Sequence, residues 1–260
     1  MYLIKKIKNQ NKNDDIFRFF AVLVFWLFYF FLFNTNNNFL FFISQIIIFG
    51  CLTFLISGSK INSLGIPKIK ISKFIVFIVI FSGLIFCSCD ALLRLLGIKY
   101  DLNWFSASRG IAAGFLKNSY YYSAHAFIFG PLIEEFVFRR NLLVLLVKNT
   151  VPYASLIVSI LFVCFHISNS FSFYVFIFLF SIQVNQLFLR TGNYYLCVLF
   201  HSASNIGVNI FYKISQLINP GLYLFMFYFS LLVLGMSSLI VLNLYLVKFE
   251  ALQKKLLKAF

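Results

Sequence analysis

Long apolar stretches, separated by short polar or basic segments, make up most of this 260-residue chain. A transmembrane helix needs about 20 predominantly apolar residues, and several of these stretches approach that length. The pattern predicts helical spans at residues 16–33, 39–56, 74–96, 119–138, 151–166, 171–189, 194–212 and 221–247. The predicted fold class is therefore all-α, a polytopic integral membrane helix bundle with about eight transmembrane helices.

The charge balance supports a membrane protein and argues against a nucleic-acid-binding one. The chain carries 22 Lys and Arg against 7 Asp and Glu, a net charge of +15, yet only 11% of its residues are charged. Soluble domains carry about 25% charged residues. Lys residues cluster in the 57–73 loop and near both ends, beside apolar stretches, which is typical of the positive-inside pattern and of anionic lipid as a partner. We therefore expect both termini to be cytoplasmic, in a bacterial inner membrane, with no nucleic-acid partner.

Three regions follow from the order of the spans. Residues 1–118 hold N-terminal transmembrane helices and an interfacial loop, whose 97–118 part has mixed charges and little periodicity. Residues 119–212 form a core that contains most of the intramembrane polar residues, and residues 213–260 hold a final transmembrane helix and a basic cytoplasmic tail. The five cysteines form no CxxC pair, so we interpret them as packing residues rather than as a disulfide or structural zinc framework.

Two adjacent acidic residues, Glu134 and Glu135, stand in an otherwise apolar segment. Carboxylates inside a membrane are costly and are functional by default, although a charged turn at the membrane surface is the alternative. On a helix, Glu135 and Arg139 share a face and can pair, which makes them supporting residues. Glu134 points about 100° away and is available for chemistry. We expect Pro131 to kink this span, and Arg139 and Arg140 to mark its end at the membrane boundary.

Two other spans contribute compact polar groups, namely His166 and the pair His201 and Asn205, which are four residues apart and share a face. Each alone could form an ordinary interhelical hydrogen bond. Together, a Glu and a His can activate water for attack on an amide carbonyl, and an Asn with a second His can stabilise the oxyanion. His166 and His201 could also bind zinc, so a zinc cofactor stays open although no HExxH is present and no metal ligand is assigned. Aromatic neighbours indicate a packing role for His125.

The polar groups form three ordered motifs, Glu134-Glu135-x-x-x-Arg139, Phe162-x-x-x-His166 and His201-x-x-x-Asn205. In order and spacing they resemble the CPBP family of intramembrane endopeptidases, which is also called the Abi or type II CAAX prenyl endopeptidase-like family. The resemblance covers roughly residues 120–210, includes the flanking Gly130-Pro131 and Arg190-Thr-Gly-Asn193, and implies that the 119–212 region is a catalytic core.

The resemblance also implies a role for each motif residue. Glu134 resembles the carboxylate that activates water, assisted by His166. His201 and Asn205 resemble the pair that holds the oxyanion, and the second glutamate and the arginine of the first motif look like supporting residues. One departure is Arg140, where the family often has a glycine.

The predicted function is hydrolysis of a peptide bond in a membrane-associated or lipid-anchored peptide or protein. The enzyme would be a membrane-embedded endopeptidase of glutamate type or metallo type, with CAAX-type processing implied by the resemblance. A non-catalytic membrane scaffold or bacteriocin-immunity protein is the main alternative. A proton-coupled transporter is less well supported, because it predicts repeated halves that the sequence does not show.

Overall fold

A computed structural model describes residues 72–87, 125–148, 151–166, 171–217 and 222–259. Every regular element within these ranges is helical and none is a strand, in agreement with the predicted all-α class. The first two predicted spans and the 97–118 loop lie outside the described residues. The total of eight transmembrane helices therefore stays a prediction.

One irregular helix carries the glutamate pair. The described α-helices are α1 (Lys73–Phe86), α2 (Gly130–Glu135), α3 (Val144–Lys148), α4 (Ala154–Cys164), α5 (Phe171–Thr191), α6 (Tyr194–Leu217) and α7 (Leu222–Ala259). Two π-helical segments flank α2, the first at His125–Phe129 and the second at Phe136–Leu143. The backbone stays right-handed helical at these junctions, so residues 125–148 form one continuous helix, here called the motif helix.

Several of the helices suit a membrane. α5 and the Phe225–Tyr245 part of α7 are long and apolar enough to cross a bilayer, whereas α1 and α4 are apolar but shorter. α7 also exposes large apolar side chains, among them Met226, Phe229, Leu234, Ile240 and Leu244. Such a surface is compatible with lipid contact, because hydrocarbon tails offer no hydrogen bonds and favour apolar side chains.

Local chemistry sets the helix ends. Ser72 Oγ accepts a hydrogen bond from the Ile75 N–H at 3.2 Å and so caps the beginning of α1. Between α5 and α6, Gly192 has φ 61°, a left-handed conformation that favours glycine. Thr191 Oγ1 accepts from the Asn193 N–H at 3.2 Å in the same link. This tight turn falls between the predicted spans at residues 171–189 and 194–212.

The fourth predicted span differs from the sequence expectation at its end. The helix does not end at Arg139 and Arg140 but continues to Lys148. Arg139 is completely buried and its charge is paired, so this residue does not mark a boundary with water. Pro131 lies at the beginning of α2, directly after the first π-helical segment.

Small residues allow α1 and α6 to pack closely. A Cβ added to Gly83 would lie 2.5 Å from the Phe200 carbonyl oxygen, and one added to Gly207 would overlap the Leu84 carbonyl oxygen. Ser204 Oγ donates a hydrogen bond to the Gly83 carbonyl oxygen at 3.0 Å. Membrane helices associate through such close backbone approach, since hydrophobic burial adds little between helices in lipid.

An aromatic cluster joins α1, α5 and α6. The ring of Phe86 lies 5.5 Å from that of Phe176, 6.2 Å from that of Phe180 and 5.9 Å from that of Phe200. The rings are tilted against each other, an arrangement that aromatic pairs prefer to direct face-to-face stacking. Phe180 also contacts the ring of His201 at 4.8 Å, so the cluster forms the packed wall behind that histidine.

Replacing either close-contact glycine by alanine should destabilise the bundle. Gly83→Ala and Gly207→Ala place a methyl group against backbone atoms of the facing helix, which can move only if the helices separate. We expect each to cost about 2 kcal/mol or more of unfolding free energy, measured by thermal unfolding in detergent. Gly235→Ala on α7 is the comparison variant, because its methyl group would lie 2.9 Å from a side-chain atom, Ile85 Cγ2, and 3.5 Å from the nearest backbone oxygen. Equal losses for all three variants would contradict the backbone-contact explanation.

Candidate active site

Glu135 lies at the centre of a buried charge network. Its Oε2 is 3.1 Å from Arg139 Nε, and its Oε1 is 2.8 Å from His201 Nδ1. The side chains of Glu135 and Arg139 are both completely excluded from solvent. A buried charge without a partner would be strongly destabilising, so each of these ions requires the other. The i,i+4 pairing predicted from the sequence is present in the structure.

Arg139 connects the motif helix to α4 and α5. Its Nη2 donates to Ser181 Oγ at 2.9 Å, and its guanidinium carbon lies 4.4 Å from the centre of the Phe162 ring, within range of a cation–π interaction. Ser181 was missed in the sequence. The available signal was its i,i+4 spacing to Asn185, which places both residues on one face of α5. Asn185 Nδ2 donates to the Ser155 carbonyl oxygen at 2.9 Å, so this face of α5 supports both contacts.

Glu134 is directed differently from its neighbour and keeps 18% of its side chain exposed. Its Oε2 lies 3.6 Å from His166 Nε2 and 3.9 Å from His201 Nε2. Direct N–H···O hydrogen bonds are about 2.7–3.2 Å long, so these separations exceed that range. They are suited to a bridging water molecule. The structure thus brings together three of the predicted catalytic residues.

The partners of the two histidines define which ring nitrogen carries hydrogen. His166 Nδ1 lies 2.7 Å from the Phe162 carbonyl oxygen, which can only accept, so Nδ1 donates and Nε2 of the neutral ring is an acceptor. His201 Nδ1 likewise faces an acceptor, the carboxylate of Glu135. Nε2 of His201 can therefore donate a hydrogen bond only when the ring carries both protons.

Two residues of α6 attach this helix to the segment that precedes Glu134. Asn205 Nδ2 donates to the Ala126 carbonyl oxygen at 2.7 Å, and the Tyr194 hydroxyl donates to the Leu132 carbonyl oxygen at 2.5 Å. The structure thus gives Asn205 a backbone partner in the first π-helical segment. Sequence reasoning missed Tyr194, because a backbone acceptor has no residue signature. The His125 side chain, expected to pack, lies outside the described part.

Aromatic rings enclose the polar group. The Phe162 ring lies 4.5 Å from the His166 ring, 6.3 Å from the His201 ring and 4.9 Å from the Phe138 ring. Together with Phe180 on the other side of His201, these rings limit the reorientation of both imidazoles. Electrostatic interactions are stronger in such a weakly polar setting than in water, which favours a site built from few charged groups.

The two histidines were also the candidates for a zinc site. A catalytic zinc ion usually has three protein ligands, with Zn–N distances of about 2.0–2.1 Å. Within the described ranges, no group of three His, Cys, Asp or Glu side chains is arranged to hold a metal ion.

Comparison with known proteins supports the predicted resemblance. Residues 116–207 match the model of a family described as Rce1-like, type II CAAX prenyl endopeptidase Rce1-like. No curated protein and no solved structure matches the chain. The matched segment is about a third of the chain and contains all three sequence motifs, whereas α1 and α7 lie outside it. The family resemblance predicted from the motifs is thus confirmed over this segment.

Replacing either Glu135 or Arg139 alone should lower the stability of the protein far more than expected from the variant in which both are replaced. Glu135→Gln and Arg139→Met each leave the remaining charge buried without its counter-ion, and we expect each to cost about 3–5 kcal/mol. The double variant should recover much of this loss, because no buried charge is then left unpaired. Thermal unfolding in detergent provides the measurement, and strictly additive losses would contradict the ion pair.

Arg140→Met is the matched control for that comparison. This neighbouring arginine is only half-buried and lies over the rings of Phe136 and Tyr194, at 5.6 and 5.9 Å from their centres. Its loss should cost about 1 kcal/mol, the size of a partly exposed cation–π contact. A loss as large as that of Arg139→Met would mean that burial of the charge is not the deciding factor.

Proposed function

We propose that this protein is an intramembrane endopeptidase that hydrolyses a peptide bond in a membrane-associated or lipid-anchored peptide or protein. One observation carries the proposal, namely that Oε2 of Glu134, whose side chain keeps 18% of its surface exposed, lies 3.6 Å from Nε2 of His166 and 3.9 Å from Nε2 of His201. A general base within one water molecule of its target is the arrangement that amide hydrolysis needs. The match of residues 116–207 to an endopeptidase family supports the same reaction class.

The first step is attack of water on the scissile carbonyl carbon. Glu134 Oε2 takes one proton from the water as the water oxygen forms a bond to that carbon. His166 Nε2 accepts a hydrogen bond from the other water hydrogen, while its Nδ1–H stays on the Phe162 carbonyl. The carbonyl oxygen becomes negatively charged in the resulting tetrahedral intermediate.

The second step is collapse of that intermediate. His201 in its doubly protonated form donates Nε2–H to the oxyanion, while its Nδ1–H stays on Glu135. Asn205 adds a second donor, and removal of one such donor typically costs about 3 kcal/mol of transition-state stabilisation. The C–N bond then breaks, and Glu134 returns its proton to the departing amine nitrogen. The products are a carboxylic acid and an amine, and Glu134 is again a carboxylate.

The apolar surroundings of the site favour a substrate that is already held at the membrane. Glu134 keeps 18% of its side chain exposed in a bundle whose described helices are largely apolar, so a lipid-anchored or membrane-embedded peptide is the substrate class that suits it. The description of the matched family supports CAAX-type processing as the form of this hydrolysis. The cytoplasmic termini stay a prediction from the charge pattern, and the bacterial inner membrane stays an expectation.

Cleavage assays with detergent-purified protein test the proposal. A panel of lipid-anchored and unmodified membrane-associated peptides would be compared between wild type, Glu134→Gln and Glu250→Gln. We expect Glu134→Gln to lower kcat by about 10²–10⁴-fold, the usual contribution of a general base. Glu250→Gln is the matched control, because it removes a carboxylate from α7, far along the chain from the three motifs, and should leave kcat unchanged.

Each outcome of the assay is informative. Equal cleavage by wild type and Glu134→Gln would remove Glu134 from the mechanism. Absence of cleavage by wild type across the panel would favour the non-catalytic scaffold. Loss of wild-type activity on chelation, with recovery on adding zinc, would assign the metallo type, whereas indifference to the chelator would assign the glutamate type.

A further inference from the structure

The hydrogen bond between Asn205 and the Ala126 carbonyl joins α6 to the first π-helical segment. Asn205 Nδ2 donates to this oxygen at 2.7 Å, and Ala126 is buried. A side-chain amide rarely competes for a carbonyl in the middle of a helix, because the helix's own N–H groups occupy these acceptors. The contact therefore calls for a reason why this carbonyl is available.

Pro131 supplies that reason. In a π-helical register each carbonyl pairs with the N–H five residues later, which for Ala126 is residue 131. Proline has no N–H to donate. Pro131 is itself buried, so water offers little replacement, and the Asn205 amide takes the place of the missing donor. The sequence feature that leaves the carbonyl without a helix partner lies only three residues before Glu134.

We propose that Pro131 is a positioning residue that acts through the Ala126 carbonyl on Asn205. Because Pro131 has no N–H, the Ala126 carbonyl is left to accept a hydrogen bond from the Asn205 amide. This bond holds Asn205 in a fixed position relative to the segment that carries Glu134. The amide nitrogen has two hydrogens and this contact uses one, which leaves the other for the substrate oxyanion. The role of Asn205 toward the oxyanion rests on the function proposed above, whereas the role of Pro131 in the hydrogen bond between Asn205 and Ala126 does not.

A double-mutant cycle tests the contact without reference to catalysis. Asn205→Leu keeps the approximate shape of the side chain but removes the donor, and we expect it to lower the Tm by about 5 °C in detergent. In the Pro131→Ala background the new N–H can pair with the Ala126 carbonyl, so the same substitution should change the Tm by about 1 °C or less. Equal Tm shifts in both backgrounds would overturn the inference.

Activity measurements test the catalytic part. Pro131→Ala should lower kcat about tenfold or more with little change in KM, because the new N–H competes with Asn205 for the carbonyl and the amide loses its fixed position. Alanine favours helix more than proline does, so the Tm of this variant should not fall. Pro152→Ala is the matched control, since this proline is exposed in the turn before α4 and should leave both kcat and Tm unchanged.

The failures of the two proposals are distinguishable. If wild type cleaves nothing, the proposed function fails, and the Tm cycle still decides whether Pro131 assigns the carbonyl to Asn205. If wild type cleaves, Glu134→Gln does not, and Pro131→Ala retains full kcat, the proposed function stands and the positioning role of Pro131 is overturned.

Discussion

A carboxylate with no access to water constrains most of this arrangement. Glu135 can be buried only because a guanidinium lies against one of its oxygens and an imidazole N–H against the other. Arg139 is buried too and requires partners of its own, which are the hydroxyl of Ser181 and the ring of Phe162. One negative charge thus fixes the contacts among the motif helix, α4, α5 and α6. The same contacts hold the Nδ1 side of His201 and direct its Nε2 toward Glu134.

The irregular backbone around the glutamate pair gives α6 its points of attachment. A regular α-helix uses nearly all of its carbonyl groups internally, whereas π-helical segments alter the pairing and are frequent at functional sites. Here the carbonyl oxygens of Ala126, Leu132 and Phe136 each accept a hydrogen bond from a side chain. Two of those donors, Tyr194 and Asn205, belong to α6. α6 is therefore attached to the backbone of the motif helix by one residue before His201 and one residue after it.

Local periodicity was sufficient to predict the part of the site that lies on one helix. The pairing of Glu135 with Arg139 and the separate direction of Glu134 both follow from 3.6 residues per turn, and the structure has both. The rarity of polar residues in apolar spans was sufficient to select His166 and His201 as their partners. The break between α5 and α6 could also be predicted, because Gly192 is a local sequence signal for a turn.

Long-range contacts account for what the sequence did not predict. Arg139 was predicted both to pair with Glu135 and to mark the membrane boundary, yet it is buried and also donates to a hydroxyl 42 residues later. Ser181 is one of several polar residues of α5, and nothing in its own neighbourhood indicates which charge it contacts. The backbone acceptor of Asn205 depends on a π-helical register, which has no periodic signature in side chains. The spacing of residues along one helix can be taken from the sequence, whereas the helix that packs against a given face cannot.

Packing by α1, which lies outside the matched segment, also affects the position of a proposed catalytic residue. Phe200 and His201 are neighbours about 100° apart on α6. The carbonyl of the first packs against Gly83 of α1, and the side chain of the second reaches Glu135 on the motif helix. α6 is therefore held between α1 and the motif helix, and a shift of α1 would displace His201 relative to Glu134. Because a misplacement of about 1 Å can cost roughly 10²-fold in rate, the close packing of α1 matters for the proposed reaction although α1 carries no motif residue.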